Sequence, residues 1–196
     1  MVNWYHAIVF CNRLSVADGL TPAYEMQTAA NTSIWSTDTA TWGTVPTSTS
    51  DSRWNAVRVV AGTTGYRLPT EAQWEYAAKG GNNSPGSYTY SGSNNVGEVA
   101  WYSFNSINRT REVGKKAPNG LGIYDMSGNV WEWCWDWWGS YTSTAKTNPT
   151  GFSSGTNRVI RGGSWYDSAE VTRSASRIDI YPNYRFYDAG FRLARP

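Results

Sequence analysis

The most regular pattern of apolar and polar positions lies at residues 131–137, where Trp131, Trp133, Trp135 and Trp137 alternate with Glu132, Cys134 and Asp136. A period of two sends successive side chains to opposite faces of an extended chain, so this run predicts a strand with four indoles on one face and polar groups on the other. Trp131, Trp135 and Trp138 also fall near a helical period, but Gly128 and Asn129 before the run and Gly139 after it bound a short strand better. A buried indole removes about 150 to 250 Å² from water, which makes 118–139 the stretch around which the core forms. Residues 4–16 read as an amphipathic helix, with Trp4, Ile8, Cys11 and Leu14 on one stripe, Asn12, Arg13 and Ser15 largely off it, and Asp18-Gly19 closing it. Residues 65–81 predict a second helix: Thr70 caps it with Gln73 reaching back, Glu71 and Glu75 sit near its positive end, and Lys79 with Gly80-Gly81 ends it.

Elsewhere the pattern is weaker. Residues 21–52 are rich in Thr, Ser and Ala and predict short strands and turns, 57–60 and 101–104 predict brief strands, and 82–97 and 109–116 read as surface loop and turn. In the tail, 158–165 and 190–193 predict strands that pin the ends of a segment with no periodicity of its own.

Composition narrows the class. A chain of 196 residues is read as one domain, and 12 Trp, 13 Tyr and 19 Gly suit a loop-rich fold in which aromatic anchors replace long aliphatic helices. A net charge of +2, with no basic run longer than Lys115-Lys116, gives no footing for nucleic acid. Cys11 and Cys134 form neither a disulfide framework nor a zinc-ligand spacing, and His6 and Cys11, five apart on different faces of the first helix, are read as structural. No apolar run is long enough to span a membrane, and any export signal is expected outside this chain.

Taken together, the blocks at 65–81, 118–139, 158–165 and 190–193, with the opening helix, resemble the formylglycine-generating-enzyme (sulfatase-modifying factor) family, a branch of the C-type-lectin fold. The resemblance implies an α+β fold, two helices around short antiparallel strands. In those enzymes two cysteines follow the Gly-Gly-Ser-aromatic anchor and serve copper-dependent oxidation; the matching positions here are Asp167 and Thr172, neither of which can be a thiolate. A related iron-dependent chemistry needs several histidines, and this chain has one. The resemblance also implies a structural calcium held by the side chains of Asp125 and Glu132 with the carbonyls of Gly128 and Val130. The competing reading is that an arginine or backbone N–H groups hold Glu132 with no ion. No cofactor is required on either reading.

The tail from 160 to 196 resembles the variable region of proteins diversified by retroelements: Arg-Gly-Gly-Ser-Trp, free positions, Arg-Ser-Ala-x-Arg, further free positions, then Gly-Phe-Arg-Leu. Adenine-directed changes in asparagine codons reach Tyr, Asp, Ser, Ile, Phe and Val, the types found at Tyr166, Asp167, Ser168, Val171, Ser176, Ile178, Asp179, Tyr181, Tyr184, Phe186, Tyr187 and Asp188. Tyrosine with aspartate and serine has the chemistry of an antibody paratope. Arg173, Arg177 and Arg185 are read as framework, and Phe186 is the ring most open to the alternative of packing under the loop. The resemblance therefore implies a monomeric, non-catalytic display receptor, extracellular or at the cell surface, for varied protein or other surface ligands. A carbohydrate-binding module is the alternative, and a copper-dependent oxidase a more distant one.

Overall fold

The computed structural model describes residues 1–83 and 86–196, so residues 84 and 85 of the expected 82–97 loop lie outside the described residues. In chain order the elements are α1 (Trp4–Ala17), β1 (Tyr24–Gln27), β2 (Trp35–Ser36), α2 (Ser52–Asn55), β3 (Arg58–Val59), α3 (Glu71–Ala78), α4 (Val96–Val99), β4 (Ala100–Trp101), β5 (Ser127–Gly128), β6 (Trp131–Trp137), β7 (Arg158–Arg161), β8 (Arg177–Ile180) and β9 (Ala189–Gly190). Single 3-10 turns at Thr39–Trp42, Gly81–Asn83 and Ala169–Thr172 complete the framework.

The tryptophan-alternating run is β6, an interior strand of a sheet ordered β8-β7-β6-β9. It pairs antiparallel with β7 and parallel with β9, with a register shift between Trp133 and Trp137. Trp133, Ile160 and Ile178 line up across three strands, as do Glu132, Arg161 and Arg177. On the first face Trp131, Trp133 and Ile160 pack with Trp4, Ile8 and Cys11 of α1 and with Tyr24 and Met26 of β1. On the second, Cys134 and Val159 pack with Trp74 and Ala78 of α3 and with Met126. Both faces of β6 are therefore buried, and Glu132 and Asp136 are buried with them.

Buried charge on the second face is neutralised in place. Arg161, fully buried, donates from Nη2 to Glu75 Oε2 at 2.6 Å, and Arg177 clamps Glu71 through Nε and Nη2, both at 2.7 Å. Glu71 and Glu75 thus serve β7 and β8 as well as the α3 dipole. On the first face Arg158 is sandwiched between the rings of Trp4 (3.7 Å) and Trp137 (3.4 Å) and donates to the Trp135 carbonyl at 2.5 Å.

Both predicted helices form with their caps. Thr70 and Gln73 make the expected capping box on α3, and Asn3 with His6 makes another on α1, which gives His6 its structural role. Four expectations need correcting. Asn12 and Ser15 are buried rather than off the α1 stripe: Asn12 Nδ2 donates to the carbonyls of Tyr24 and Thr37, and Ser15 Oγ donates to Cys11 O while accepting from Tyr66 N–H. Within the predicted strand 101–104 only Trp101 is in β4, because Asn105 turns the chain by accepting from Tyr102 N–H and donating to Ala100 O. Within 190–193 only Gly190 is in β9, since Arg192 swings towards Glu132. The segment expected to be irregular contains β8, an edge strand too short for its alternation to stand out.

Candidate functional site

The tail leaves β7 through Gly162 and Gly163, at φ +96° and +72°, and reverses at Ser164. That hydroxyl, fully buried, donates to Asp167 Oδ2 at 2.6 Å and reaches Asp188 Oδ2 at 3.3 Å, tying the two ends of the segment together. Arg161 donates from Nη2 to Ser174 O and so holds the middle turn. Pro182 and Asn183 are buried, their carbonyls accepting from Trp4 N–H and Asn3 Nδ2. Arg161, Trp4 and Asn3 thus fasten the middle of the segment from outside the suspected free positions, while its two ends are tied through the side chains of Asp167 and Asp188, which are among them.

Ten of the twelve candidate residues fall into three groups, and Ser168 and Val171 lie apart from them. Tyr166 and Tyr187 are both 61% exposed and lean on Trp165, with centroids 5.6 and 5.7 Å away; Asp167 and Asp188 lie beside them on Ser164. Partial burial, with Asp167 as a like charge nearby, pushes the Asp188 carboxyl up from its ordinary value. Tyr181, Tyr184 and Phe186 form a stacked row with spacings of 5.9 and 5.5 Å. On the edge strand, Ile178 is exposed, Asp179 accepts from Asn157 Nδ2 at 2.6 Å, and Ser176 donates to Glu170 O just before it. Ser168 is exposed at the start of the 3-10 turn. Val171 and Phe186 are half-buried against the α1-side core, so these two positions also support the loop from beneath.

Sequence reasoning missed a neighbouring loop. Ser103 N–H donates to Asp167 O and Ser106 Oγ to Trp165 O, which fixes residues 102–108 against the Tyr166 group. Phe104, 87% exposed, stacks on Tyr102, and Ile107 projects into solvent at φ +58°, a conformation that β-branched residues avoid. The visible signal was two rings and an isoleucine among Ser and Asn, with nothing to say where the loop would dock.

The calcium set meets a different arrangement. Glu132 Oε2 accepts from Arg192 Nε and Trp74 Nε1, both at 2.6 Å, while Oε1 accepts from Arg192 Nη2 at 2.7 Å. Arg192 Nη2 also donates to the carbonyls of Tyr124 and Asp125. Asp125 Oδ2 accepts from Gly114 N–H, leaving Oδ1 buried without a donor among the described residues. Gly128, at φ +75°, is pressed against the Trp101 backbone, where a Cβ would collide with the carbonyl. Val130 is half-buried beside Gly190. A dication at Glu132 would have to share that carboxylate with the Arg192 guanidinium, so Glu132 does not fit as a calcium ligand in this arrangement.

The thiols and the positions matched to the enzymes' cysteines are equally engaged. Burial pushes Cys11 up to about 12 and raises Cys134 well above its ordinary value. Thr172 is buried with its hydroxyl on Ala169 O, and Asp167 is held by Ser164.

A two-faced sheet with α1 and α3 on opposite sides, joined by long loops that present one aromatic face, defines an α+β protein of the C-type-lectin type. The chain belongs to the family of the sulfatase-modifying factor enzyme 1-like domain, whose model matches residues 1–196. Among solved structures it resembles Treponema denticola variable protein 1, with 41% identity, a TM-score of 0.88, and coverage of 100% of this chain and 70% of that one. It is 36% identical to the chaperone protein LppX of Paenibacillus barcinonensis across 99% of this chain and 68% of that protein. It is also 36% identical to the formylglycine-generating enzyme of Streptomyces coelicolor, across 72% of this chain and 50% of the enzyme, so the match spans only about half of that enzyme.

Proposed function

We propose that this protein is a non-catalytic ligand-binding receptor whose C-terminal face is diversified by a retroelement while the rest of the fold stays constant. The observation that carries this reading is the division within the tail. Tyr166, Tyr181, Tyr184 and Tyr187 are exposed, whereas Ser164, Arg161, Pro182 and Asn183, which hold the backbone, are buried. Tyrosines give large contact areas at small entropic cost, and Asp167, Asp179 and Asp188 bias the face towards basic or donor-rich ligands. Similarity to a variable protein across the whole of this chain and 70% of that one supports the reading, as do Asp167 and Thr172 where the family's oxidases carry thiolates. On this reading the receptor acts as a monomer outside the cell or at its surface, on protein or other surface ligands, with no nucleic acid among them.

The test is a yeast-displayed library varied only at Tyr166, Ser168, Ile178, Tyr181, Tyr184 and Tyr187, sorted against lysozyme as a basic protein probe. Folded clones with saturable binding, lost when the selected residues are reversed, are expected. Widespread unfolding, or a folded library without binders, would overturn the reading.

A further inference from the structure

A groove of about 620 Å³ runs between β3, the first turns of α3 and the middle of β6, within the range that small-molecule sites occupy. Its floor is fixed by contacts. Trp135 stacks on the buried ring of Tyr24, with centroids 5.1 Å and planes 16° apart; Trp135 N–H donates to Pro69 O, and Leu68 N–H donates to the Tyr24 hydroxyl. The sides are apolar: Val59 and Tyr76 are 42% and 52% exposed, and Pro149 completes the lining. Charge in the groove is one-sided, for no carboxylate lines it and Arg67 is the one cation among its lining residues. Arg67 Nη1 donates to Leu68 O at 3.3 Å and to Gln73 Oε1 at 2.7 Å, which holds the guanidinium in place. Its Nε and Nη2 meet no acceptor among the described residues, and neither does the indole N–H of Trp135.

We infer that this groove binds an organic carboxylate with an apolar body, the carboxylate paired with Arg67 and the hydrocarbon laid along Trp135, Tyr76 and Val59. Nε and Nη2 form the side of a guanidinium that a carboxylate takes in bidentate fashion. The chain uses that same pair of nitrogens twice, where Arg177 clamps Glu71 and where Arg192 clamps Glu132; on Arg67 the pair is unused. With no second charge in the lining, the rest of the ligand must be apolar. The groove shares no residue with the tyrosine face, and the assignment does not depend on the display reading.

The experiment titrates hexanoate, octanoate and decanoate into the full chain by calorimetry, with octanamide as the neutral counterpart of octanoate. Octanoate is expected to bind with Kd near or below about 1 mM, and each CH2 added along the series to tighten binding about two- to fourfold. Octanamide is expected to bind about tenfold more weakly or worse, because it cannot form the bidentate ion pair. Arg67→Gln is expected to weaken octanoate about tenfold or more, Arg67→Lys to keep part of the affinity, and Tyr76→Ala to weaken all three acids several-fold. Arg109→Gln, at an exposed arginine outside the groove, is expected to change nothing. Should Arg67→Gln fail to fold, the difference between octanoate and octanamide on the parent chain decides the matter. Absence of decanoate binding up to about 10 mM overturns the assignment. So does an affinity that stays flat along the series, equal binding of octanoate and octanamide, or octanoate binding undiminished in folded Arg67→Gln.

Discussion

Asp136, nearly buried in β6, accepts from the first N–H of α3, that of Glu71, and Asp136→Asn tests what its burial costs. Burial raises the Asp136 carboxyl from 3.8 to about 6; Glu71 N–H and Arg158 oppose the rise, and the Glu71 charge adds to it. Because the folded value lies above the unfolded one, the native state binds the proton more tightly. Stability from this group is therefore present at low pH and is lost as pH rises from about 4 through about 6. At 1.36 kcal/mol for each pH unit, the loss is about 3 kcal/mol by pH 7. Asparagine cannot titrate and still accepts from Glu71 N–H, at a cost of about 1 kcal/mol where a charged acceptor becomes neutral. The variant is thus expected to match the parent near pH 4 and exceed it by about 1 to 3 kcal/mol at pH 7.5. Urea unfolding of both proteins at constant ionic strength, read by tryptophan fluorescence from pH 4 to 7.5, gives the difference directly. A difference that stays flat across that range, or a variant less stable at pH 7.5, refutes the reasoning.

Glu132→Gln strips the charge from a buried carboxylate and leaves the partly exposed Arg192 without its counter-ion, at an expected cost of about 2 to 3 kcal/mol, below that of a fully buried pair. Thermal melts should fall by about 2 to 4 °C per kcal/mol, and the parent's midpoint should not move with calcium or EDTA; a calcium-dependent midpoint contradicts the arginine arrangement. Ile107→Gly removes a strained left-handed conformation and is expected to leave stability unchanged or raise it by about 1 kcal/mol, checked by the same melts. With copper and a cysteine peptide, oxygen uptake is expected to match the protein-free control, because Asp167 and Thr172 occupy the matched thiol positions.

Much of the scaffold could be read from local pattern. A strict alternation of tryptophans can hardly be placed except as a buried strand, and Thr70-x-x-Gln73 is a helix start in its own right. What escaped depended on distant partners. Asn12 and Ser15 look like solvent-facing helix residues until Tyr24 and Tyr66 arrive to use their hydrogen bonds. Glu132 carries no sign in sequence of whether Arg192 or an ion will neutralise it, because the two residues are 60 positions apart. The tyrosines of the tail were legible by residue type, but Phe104 and Ile107 joined them only through backbone contacts to Asp167 and Trp165.

The division between fixed frame and exchangeable face is tested most directly by replacing Tyr166, Tyr181, Tyr184 and Tyr187 together with Ser, Asp, Ser and Asn and measuring the melting temperature. The four rings are about half exposed or more and touch chiefly one another, Trp165 and Phe186, so at about 0.5 kcal/mol apiece the total cost is about 2 kcal/mol and the midpoint should fall by no more than about 4 to 8 °C. A cooperative loss of folding in that fourfold variant would contradict the account, because it would make the tyrosines part of the frame.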